Sequence, residues 1–213
     1  MPRSRTPTLK RQTAERLDPP QARQVSFDDE LLILVDSADN ITRYENKAAA
    51  HRGRGLLHRA FSIFLFNDRG DVLLHKRGAT KPLWPGYWTN SCCSHPRKGE
   101  TYETAVKRRL YEELGVSADL TYLYQFQYNA DFEGQGSENE LCAVFVGRLA
   151  NTRELNPNPT EIAECRWVSC AELETWLAAE PDCFTPWFKL EWARLRSDQR
   201  DALEKVCGPQ RKH

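Results

Sequence analysis

The stretch Arg108-Arg109-Leu110-Tyr111-Glu112-Glu113-Leu114-Gly115-Val116 decides the fold that we predict for this chain of 213 residues. It closes a segment that starts at Glu100 and carries apolar side chains at helical spacing: Ala105, Val106, Leu110 and Leu114. Apolar residues three and four positions apart lie on one side of an α-helix and can pack against a core. Glycine is the residue that most often ends a helix. We therefore predict a helix from Glu100 to Leu114, capped by Gly115.

The segments on either side of this helix favour β-strands. Phe61 to Phe66 and Val72 to His75 flank the turn sequence Asn67-Asp68-Arg69-Gly70-Asp71 and predict a hairpin. Four more segments predict strands: Leu31 to Asp36, Leu120 to Tyr128, Glu140 to Arg148 and Glu164 to Val168. Two further helices are predicted, from Ala171 to Ala178 with Ser169 as its cap, and from Pro186 to about Val206. Strands mixed with three helices indicate one α/β domain with its sheet between helical layers.

Residues 1–26 differ in composition from the rest of the chain. They contain six basic residues against Glu15 and Asp18, and almost no apolar periodicity. A segment that buries little apolar surface cannot offset the entropy of ordering it. We therefore predict a disordered basic tail before a domain of residues 27–213, and expect deletion of residues 1–24 to leave stability and turnover nearly unchanged. A targeting peptide and a lid that orders over a ligand are the alternatives.

The overall composition excludes several classes of function. The 30 basic and 30 acidic residues balance, so the charge indicates neither a nucleic acid nor an anionic membrane as partner. No run of 18 apolar residues occurs, and no membrane span is expected. The seven cysteines are an odd number and no secretory signal pattern is present, which favours a reducing compartment over a disulfide framework. We expect a cytoplasmic monomer.

Three histidines and two glutamates are candidates for a metal site. His51 and His58 flank a short glycine-containing stretch, and His95 lies further along the chain. Glu138 and Glu140 alternate at the start of a predicted strand, so both carboxylates can point to one side. Imidazole and carboxylate groups together suit a divalent cation. By spacing alone, a solvent-exposed strand end is the better interpretation of the two glutamates.

The helical stretch resembles the Nudix box, whose glutamates hold Mg²⁺ against a diphosphate. Two positions depart from that pattern. Ser94 stands where the family has its first glycine, and Arg109 stands where the hydrolases have a glutamate of the metal cluster that activates water. Loss of that carboxylate argues against ordinary hydrolysis, and a cation at position 109 could instead bind a diphosphate.

Further stretches extend the resemblance to one branch of the family, the type I isopentenyl-diphosphate isomerases. They are Lys47-Ala48-Ala49-Ala50-His51, Leu57-His58-Arg59-Ala60-Phe61, Trp84-Pro85-Gly86-Tyr87-Trp88-Thr89-Asn90-Ser91-Cys92-Cys93-Ser94-His95-Pro96, Glu138-Asn139-Glu140 and Thr185-Pro186-Trp187. They occur in the family's order over roughly residues 28–200, and the combination is highly specific. The resemblance implies a Nudix-type α/β/α sandwich with a mixed sheet.

The resemblance also implies a reaction and a set of site residues. The reaction interconverts isopentenyl diphosphate and dimethylallyl diphosphate by protonation and deprotonation through a carbocation-like intermediate. The implied catalytic residues are Cys93, Glu140, Tyr128 and Trp187, and the implied diphosphate-binding cations are Lys47, Arg77, Lys81 and Arg109. The implied metal ligands are His51, His58, His95, Glu138 and Glu140 for a divalent ion (Mn²⁺, Mg²⁺ or Zn²⁺), and Glu113 for the Mg²⁺ carried by the diphosphate substrate.

Two other functions stay open at this point. One is a Nudix hydrolase of a nucleoside diphosphate derivative, and the altered box counts against it. The other is a non-catalytic metal-binding or regulatory Nudix domain. A binding module has no use for two proton-transfer groups, so the presence of Cys93, Glu140 and Tyr128 disfavours it. Cys92 should point away from Cys93 in extended chain, and we expect it to pack in the core.

Overall fold

The computed structural model describes residues 23–207, which form a mixed nine-stranded sheet with helices on both faces. The strands are β1 (Leu31–Val35), β2 (Ile41–Asn46), β3 (His58–Phe66), β4 (Val72–Arg77), β5 (Trp88–Thr89), β6 (Cys92–Ser94), β7 (Leu120–Asp131), β8 (Ser137–Arg148) and β9 (Ile162–Val168). The helices are α1 (Lys47–Ala50), α2 (Tyr102–Leu114), α3 (Cys170–Ala179), α4 (Pro186–Ser197) and α5 (Arg200–Cys207), with short 3₁₀ turns at Thr152–Glu154 and Pro181–Cys183.

Strand β3 organises the sheet. It runs parallel to β8 over its whole length, from the pair His58 and Glu140 to the pair Phe66 and Arg148. Antiparallel pairing joins β3 to β1, β4 and β6, and joins β7 to β8 and β9 to β4. The mixed sheet predicted from the sequence is therefore confirmed.

Alternate residues of β3 face two different cores. Phe61, Ile63 and Leu65 are buried on the side covered by α2, together with its apolar stripe. Phe64 and Phe66 are buried on the other side, where α3 and α4 pack. Side chains of a strand alternate between its faces, so a strand that is apolar at every position is buried on both. This explains why residues 63–66 of β3 are all apolar, and it confirms the predicted α/β/α arrangement.

The predicted turn and helix ends are largely confirmed. The backbone of Asn67 and Asp71 closes the β3–β4 hairpin at 3.0 Å, and Gly70 takes a positive φ of 81° inside that turn. Helix α2 begins at Tyr102, two residues later than predicted, because the Thr101 side chain accepts the Thr104 N–H as a cap. It ends at Gly115, whose φ of 70° is the left-handed conformation expected of a glycine cap.

The predicted last helix, Pro186 to about Val206, is wrong in one respect. The chain forms two helices, and the break lies at Asp198 between α4 and α5. Serine and aspartate are weak helix formers, so a change of direction costs little there. The break lets Leu203 pack into the core beside α4, where it is 2% exposed.

Several short elements lie outside what apolar periodicity can detect. They are β2, β5, β6 and α1, none longer than six residues. None of the helices within residues 23–207 has both the length and the apolar content needed to cross a membrane.

Contacts with the domain are already present before residue 27. Residues 1–22, most of the predicted tail, lie outside the described residues. Val25, however, is only 4% exposed, and its carbonyl accepts hydrogen bonds from Arg97 (3.0 Å) and Arg109 (2.8 Å). The carbonyl of Arg23 accepts from Asn158 at 2.9 Å. Val25 therefore belongs to the domain and not to the tail.

These contacts predict different effects for two deletions. A chain that lacks residues 1–24 should keep a melting temperature within about 2 °C of the full chain, since it loses little buried apolar surface and Asn158 keeps the Glu112 carbonyl (3.4 Å) as an acceptor. A chain that lacks residues 1–26 should melt roughly 5 °C lower, because burying a valine side chain is worth about 2 kcal/mol and two arginines lose an acceptor. Thermal unfolding followed by circular dichroism checks both, and equal melting temperatures would show that Val25 contributes nothing.

Candidate active site

Five side chains from separate parts of the chain converge at one end of the sheet. They are His51, His58, His95, Glu138 and Glu140, and their nearest nitrogen and oxygen atoms all lie within 4.8 Å of one another. His51 follows α1, His58 starts β3, His95 follows β6, and the glutamates lie on β8. The alternation of β8 turns both carboxylates to the same side, as predicted. The three imidazole centroids are 4.8–5.1 Å apart.

Two histidines are oriented as metal ligands would be. The Nδ1 atoms of His51 and His58 each lie 2.7 Å from a backbone carbonyl, that of Lys47 and that of Leu56. A ring that donates Nδ1–H to a carbonyl keeps its lone pair on Nε2. Burial lowers the pKa of His58 to about 4, so this ring is neutral near pH 7. Its buried Nε2 has no hydrogen-bond partner among the described residues. The group therefore fits a divalent cation.

Glu140 connects the cluster to the rest of the site. Its carboxylate accepts the Tyr128 hydroxyl at 2.6 Å and lies 2.9 Å from Nε2 of His95. Burial, and then the nearby Glu138, raise the pKa of Glu140 well above that of an ordinary glutamate. Glu138 lies 2.8 Å from Nε2 of His51. One carboxyl of the pair is thus disposed to hold a proton while its neighbour stays ionised.

A cavity of about 260 Å³ opens over this cluster. Its wall brings together most of the site residues predicted from the sequence. Those are Lys47, His51, Arg77, Lys81, Cys93, His95, Tyr128, Glu138, Glu140 and Trp187. His58 lies beneath the wall and is fully buried.

Cys93 and Cys92 point to opposite sides of β6. Cys93 lies beside Ser62 of β3 and lines the cavity, with its sulfur 3.9 Å from Nη1 of Arg77. Burial raises the pKa of the Cys93 thiol to about 12 in spite of Arg77, so the thiol keeps its proton at neutral pH. Cys92 is fully buried in the core under α2. The prediction that Cys92 is a packing residue is confirmed.

Arg77 and Trp187 form one side of the cavity. The carbonyls of Leu83 and Trp84 accept hydrogen bonds from the Arg77 guanidinium at 2.8–3.2 Å, which fixes its position. The guanidinium carbon lies 5.2 Å from the centre of the Trp187 ring. The Trp187 ring itself packs against Trp84 and Tyr128. An indole face in this position already interacts with a cation.

The predicted residues Arg109 and Glu113 do not line the cavity. Both are on the buried side of α2, and Arg109 donates a hydrogen bond to Glu113. Lys81 lies between them and the cavity, because its ammonium bonds Glu161 at 2.6 Å and Glu161 lies 3.6 Å from Arg109. The two residues therefore stand one layer behind the cavity wall.

Two acidic residues near the site carried no signal in the sequence. Glu161 is 4% exposed and bridges Lys81 and Arg109, and Asp28 lines the cavity. Both lie in segments without a periodic pattern, where composition does not distinguish a buried carboxylate from a solvated one. A search for acidic partners of the four predicted cations leads to Glu161, but it requires the distances that only the structure gives.

Comparisons with known proteins show the family to which this chain is similar. The NUDIX domain family matches residues 56–188. An isopentenyl-diphosphate Delta-isomerase 1 of Photorhabdus laumondii is 39% identical over 82% of this chain and 99% of its own length. An isopentenyl-diphosphate Delta-isomerase of Nocardia farcinica is 46% identical over 72% of this chain and 87% of its own.

Solved structures agree on the fold. A protein of Deinococcus radiodurans superposes with a TM-score of 0.58 at 26% identity, over 70% of this chain and 90% of its own. A MutT protein of Methanosarcina mazei superposes with a TM-score of 0.54 at 20% identity, over 68% of this chain and 96% of its own, which bears on the fold alone.

The bridging position of Glu161 predicts a large effect of its removal. Burial raises the pKa of Glu161, but Lys81 and Arg109 outweigh burial and the pKa is lowered. Glu161→Gln should reduce the free energy of unfolding near pH 7 by about 3 kcal/mol, because a buried ion pair loses one partner. The difference from the unsubstituted chain should shrink as the pH falls through the lowered pKa, where Glu161 itself takes up a proton.

Glu164→Gln is the matched control for this measurement. Glu164 is three residues away and is paired with Arg166 at the surface, so its loss should cost less than about 0.5 kcal/mol. Urea unfolding of both variants checks the prediction, and equal losses of stability would contradict it.

Proposed function

The chain belongs to the isopentenyl-diphosphate Delta-isomerases of the Nudix family, and we propose that Cys93 and Glu140 are the two groups through which it moves the double bond of its substrate. The observation that carries this proposal is that the Cys93 thiol and the Glu140 carboxyl, whose pKa values burial raises, line the same cavity. The reaction interconverts isopentenyl diphosphate and dimethylallyl diphosphate.

The two half-reactions need two protic groups in suitable protonation states. One group gives a proton to an end of the double bond, and the other takes a proton from the neighbouring carbon. Cys93 reaches the cavity from β6 and Glu140 from β8, two strands that flank β3. Because the substrate would lie between them, each group serves a different side of the carbon skeleton. Tyr128 holds the Glu140 carboxyl in place through its 2.6 Å hydrogen bond.

The positive charge that develops between the two steps needs an environment without water. Trp187 is 3% exposed and packs against Tyr128, so its ring face closes one side of the cavity. An indole face contributes about 0.5–2 kcal/mol toward a cation. Exclusion of water also prevents capture of the carbocation as an alcohol.

Basic side chains at the cavity wall would bind the diphosphate. Lys47, Arg77 and Lys81 all line it. Burial, and then Lys81 and Arg109, lower the pKa of Lys47 to about 8, which means that an added anion would relieve repulsion there. Arg109, behind the wall, would reach the anion only by leaving Glu113. The diphosphate takes no part in bond making and anchors the substrate.

The cofactors we propose are two divalent ions. One would be held by His51, His58, His95, Glu138 and Glu140, and could be Mn²⁺, Mg²⁺ or Zn²⁺ because mixed nitrogen and oxygen ligands suit all three. The other would be the Mg²⁺ of the diphosphate, with Glu113 as a ligand once its side chain leaves Arg109. When bound, the first ion compensates the charge of the buried carboxylates and tunes the acidity of Glu140.

The proton-transfer pair predicts a clear mutational result. Cys93→Ala and Glu140→Gln should each reduce the isomerisation of isopentenyl diphosphate by at least about 100-fold, since neither group can replace the other. Purified variants are assayed in the presence of Mg²⁺ by analysis of the acid-labile product. Cys92→Ala is the matched control and should retain most of the activity. Turnover near that of the unsubstituted chain in either variant would refute the assignment.

An assay of phosphate and nucleotide release distinguishes the hydrolase alternative. Release of phosphate or nucleotide from nucleoside diphosphate derivatives should be absent, because Arg109 occupies the place of a carboxylate of the hydrolytic metal cluster. Hydrolysis without double-bond migration would favour the alternative over the isomerase.

The metal proposal predicts dependence on divalent ions. Removal of metal with a chelator, followed by removal of the chelator, should inactivate the enzyme, and Mg²⁺ should restore activity at least in part. Metal analysis of His58→Ala should show less bound first ion than the unsubstituted chain. A metal-free preparation with full activity would contradict the proposal.

A further inference from the structure

The first residues of β8 point alternately to the two sides of the strand. Glu138 and Glu140 point to the metal cluster, whereas Ser137 and Asn139 point to the loop of residues 52–57, which joins His51 to β3. This loop carries the two histidines with fixed Nδ1 atoms at its ends. The Asn of the Glu-Asn-Glu stretch has no role in the chemistry described so far.

Three successive carbonyls of the loop each accept a hydrogen bond from the β7–β8 hairpin. The donors are Ser137 Oγ to the Gly53 oxygen (2.7 Å), Asn129 Nδ2 to the Arg54 oxygen (3.1 Å) and Asn139 Nδ2 to the Gly55 oxygen (3.2 Å). The backbone N–H of Ser137 adds a fourth bond, to the carbonyl of His51 at 2.9 Å. Asn129 and Asn139 are neighbours across the hairpin, so the donors form one row.

The loop lies directly on the hairpin at Gly55. A Cβ atom at this position would lie 2.9 Å from the backbone oxygen of Ser137 and 3.0 Å from the Cβ of Asn139. The φ of 71° at Gly55 also belongs to the left-handed region that side chains disfavour. The close approach brings the loop carbonyls within reach of the short asparagine side chains.

We propose that Asn129 and Asn139 are positioning residues that hold the 52–57 loop and thereby keep His51 and His58 in place for the metal ion. Without these donors the loop would have to be ordered when the ion binds, and that ordering would weaken binding. The inference rests on the metal site of the proposed function. All three residues of Glu138-Asn139-Glu140 would then serve the metal site, the two glutamates as ligands and Asn139 by holding the loop.

The test measures Mn²⁺ binding to the full chain after metal removal, by titration calorimetry. The variant with both Asn129→Ala and Asn139→Ala should bind Mn²⁺ about 10-fold more weakly, the lower end of what supporting contacts around a metal site contribute. Gln127→Ala is the matched control, because Gln127 is an exposed amide two residues from Asn129 on the same strand. It should bind like the unsubstituted chain.

Asn139→Leu separates the hydrogen bond from the size of the side chain. Leucine has nearly the same size and no charge but cannot donate to the Gly55 carbonyl, so this variant should also bind Mn²⁺ more weakly. In the metal-free protein, amide hydrogen exchange of residues 52–57 should be faster in both asparagine variants, while exchange in β3 stays unchanged.

The outcomes separate the two proposals. If the unsubstituted chain binds no Mn²⁺, the metal site itself is wrong and this inference falls with it. If the unsubstituted chain binds Mn²⁺ and both asparagine variants bind it equally well, or residues 52–57 exchange at the original rate, the metal site stands and the positioning role is overturned.

Discussion

The parallel register between β3 and β8 is the constraint on which the site depends. It places His58 beside Glu140 at one end and continues without interruption to Phe66 and Arg148. A slip of one residue would turn Glu138 and Glu140 to the opposite side of β8 and bury Asn139 in their place. The apolar residues that alternate on both faces of β3 resist such a slip, because each would move into the wrong core. The packing of the domain therefore fixes the chemistry of its active site.

Burying three histidines and two glutamates side by side costs free energy, because the groups lose their contacts with water. Buried polar groups without partners are expensive, and hydrogen bonds or ion pairs join both glutamates of the cluster to neighbours. Glu138 meets His51, and Glu140 meets both His95 and the hydroxyl of Tyr128. The buried atoms of the cluster without a hydrogen-bond partner within residues 23–207 include Nε2 of His58 and Nδ1 of His95. A cation completes this arrangement, whereas an apolar ligand would leave it uncompensated.

Periodic and motif signals in the sequence could predict most of the fold and most of the site. The stripe of α2, the turn at Gly70 and the alternation of Glu138 and Glu140 each follow from local geometry. Strand β6 could not be predicted in this way, because three residues with no alternating pattern become a strand only when β3 supplies the partner. The break at Asp198 has the same origin. It allows Leu203 to pack against core residues that lie far from it along the chain. Long-range contacts decide both.

The surroundings of Arg109 show that residue type alone does not predict where a side chain lies relative to the cavity. The sequence predicts a cation that could meet a diphosphate, and the structure puts it behind Lys81, bonded to Glu113. A glutamate at position 109 would stand beside Glu113 and Glu161, and three buried carboxylates would need counterions to balance them. With arginine there, α2 carries its own counterion, because Arg109 contacts both Glu113 and Glu161. The residue type at this position thus decides whether the buried carboxylates are balanced from within the chain.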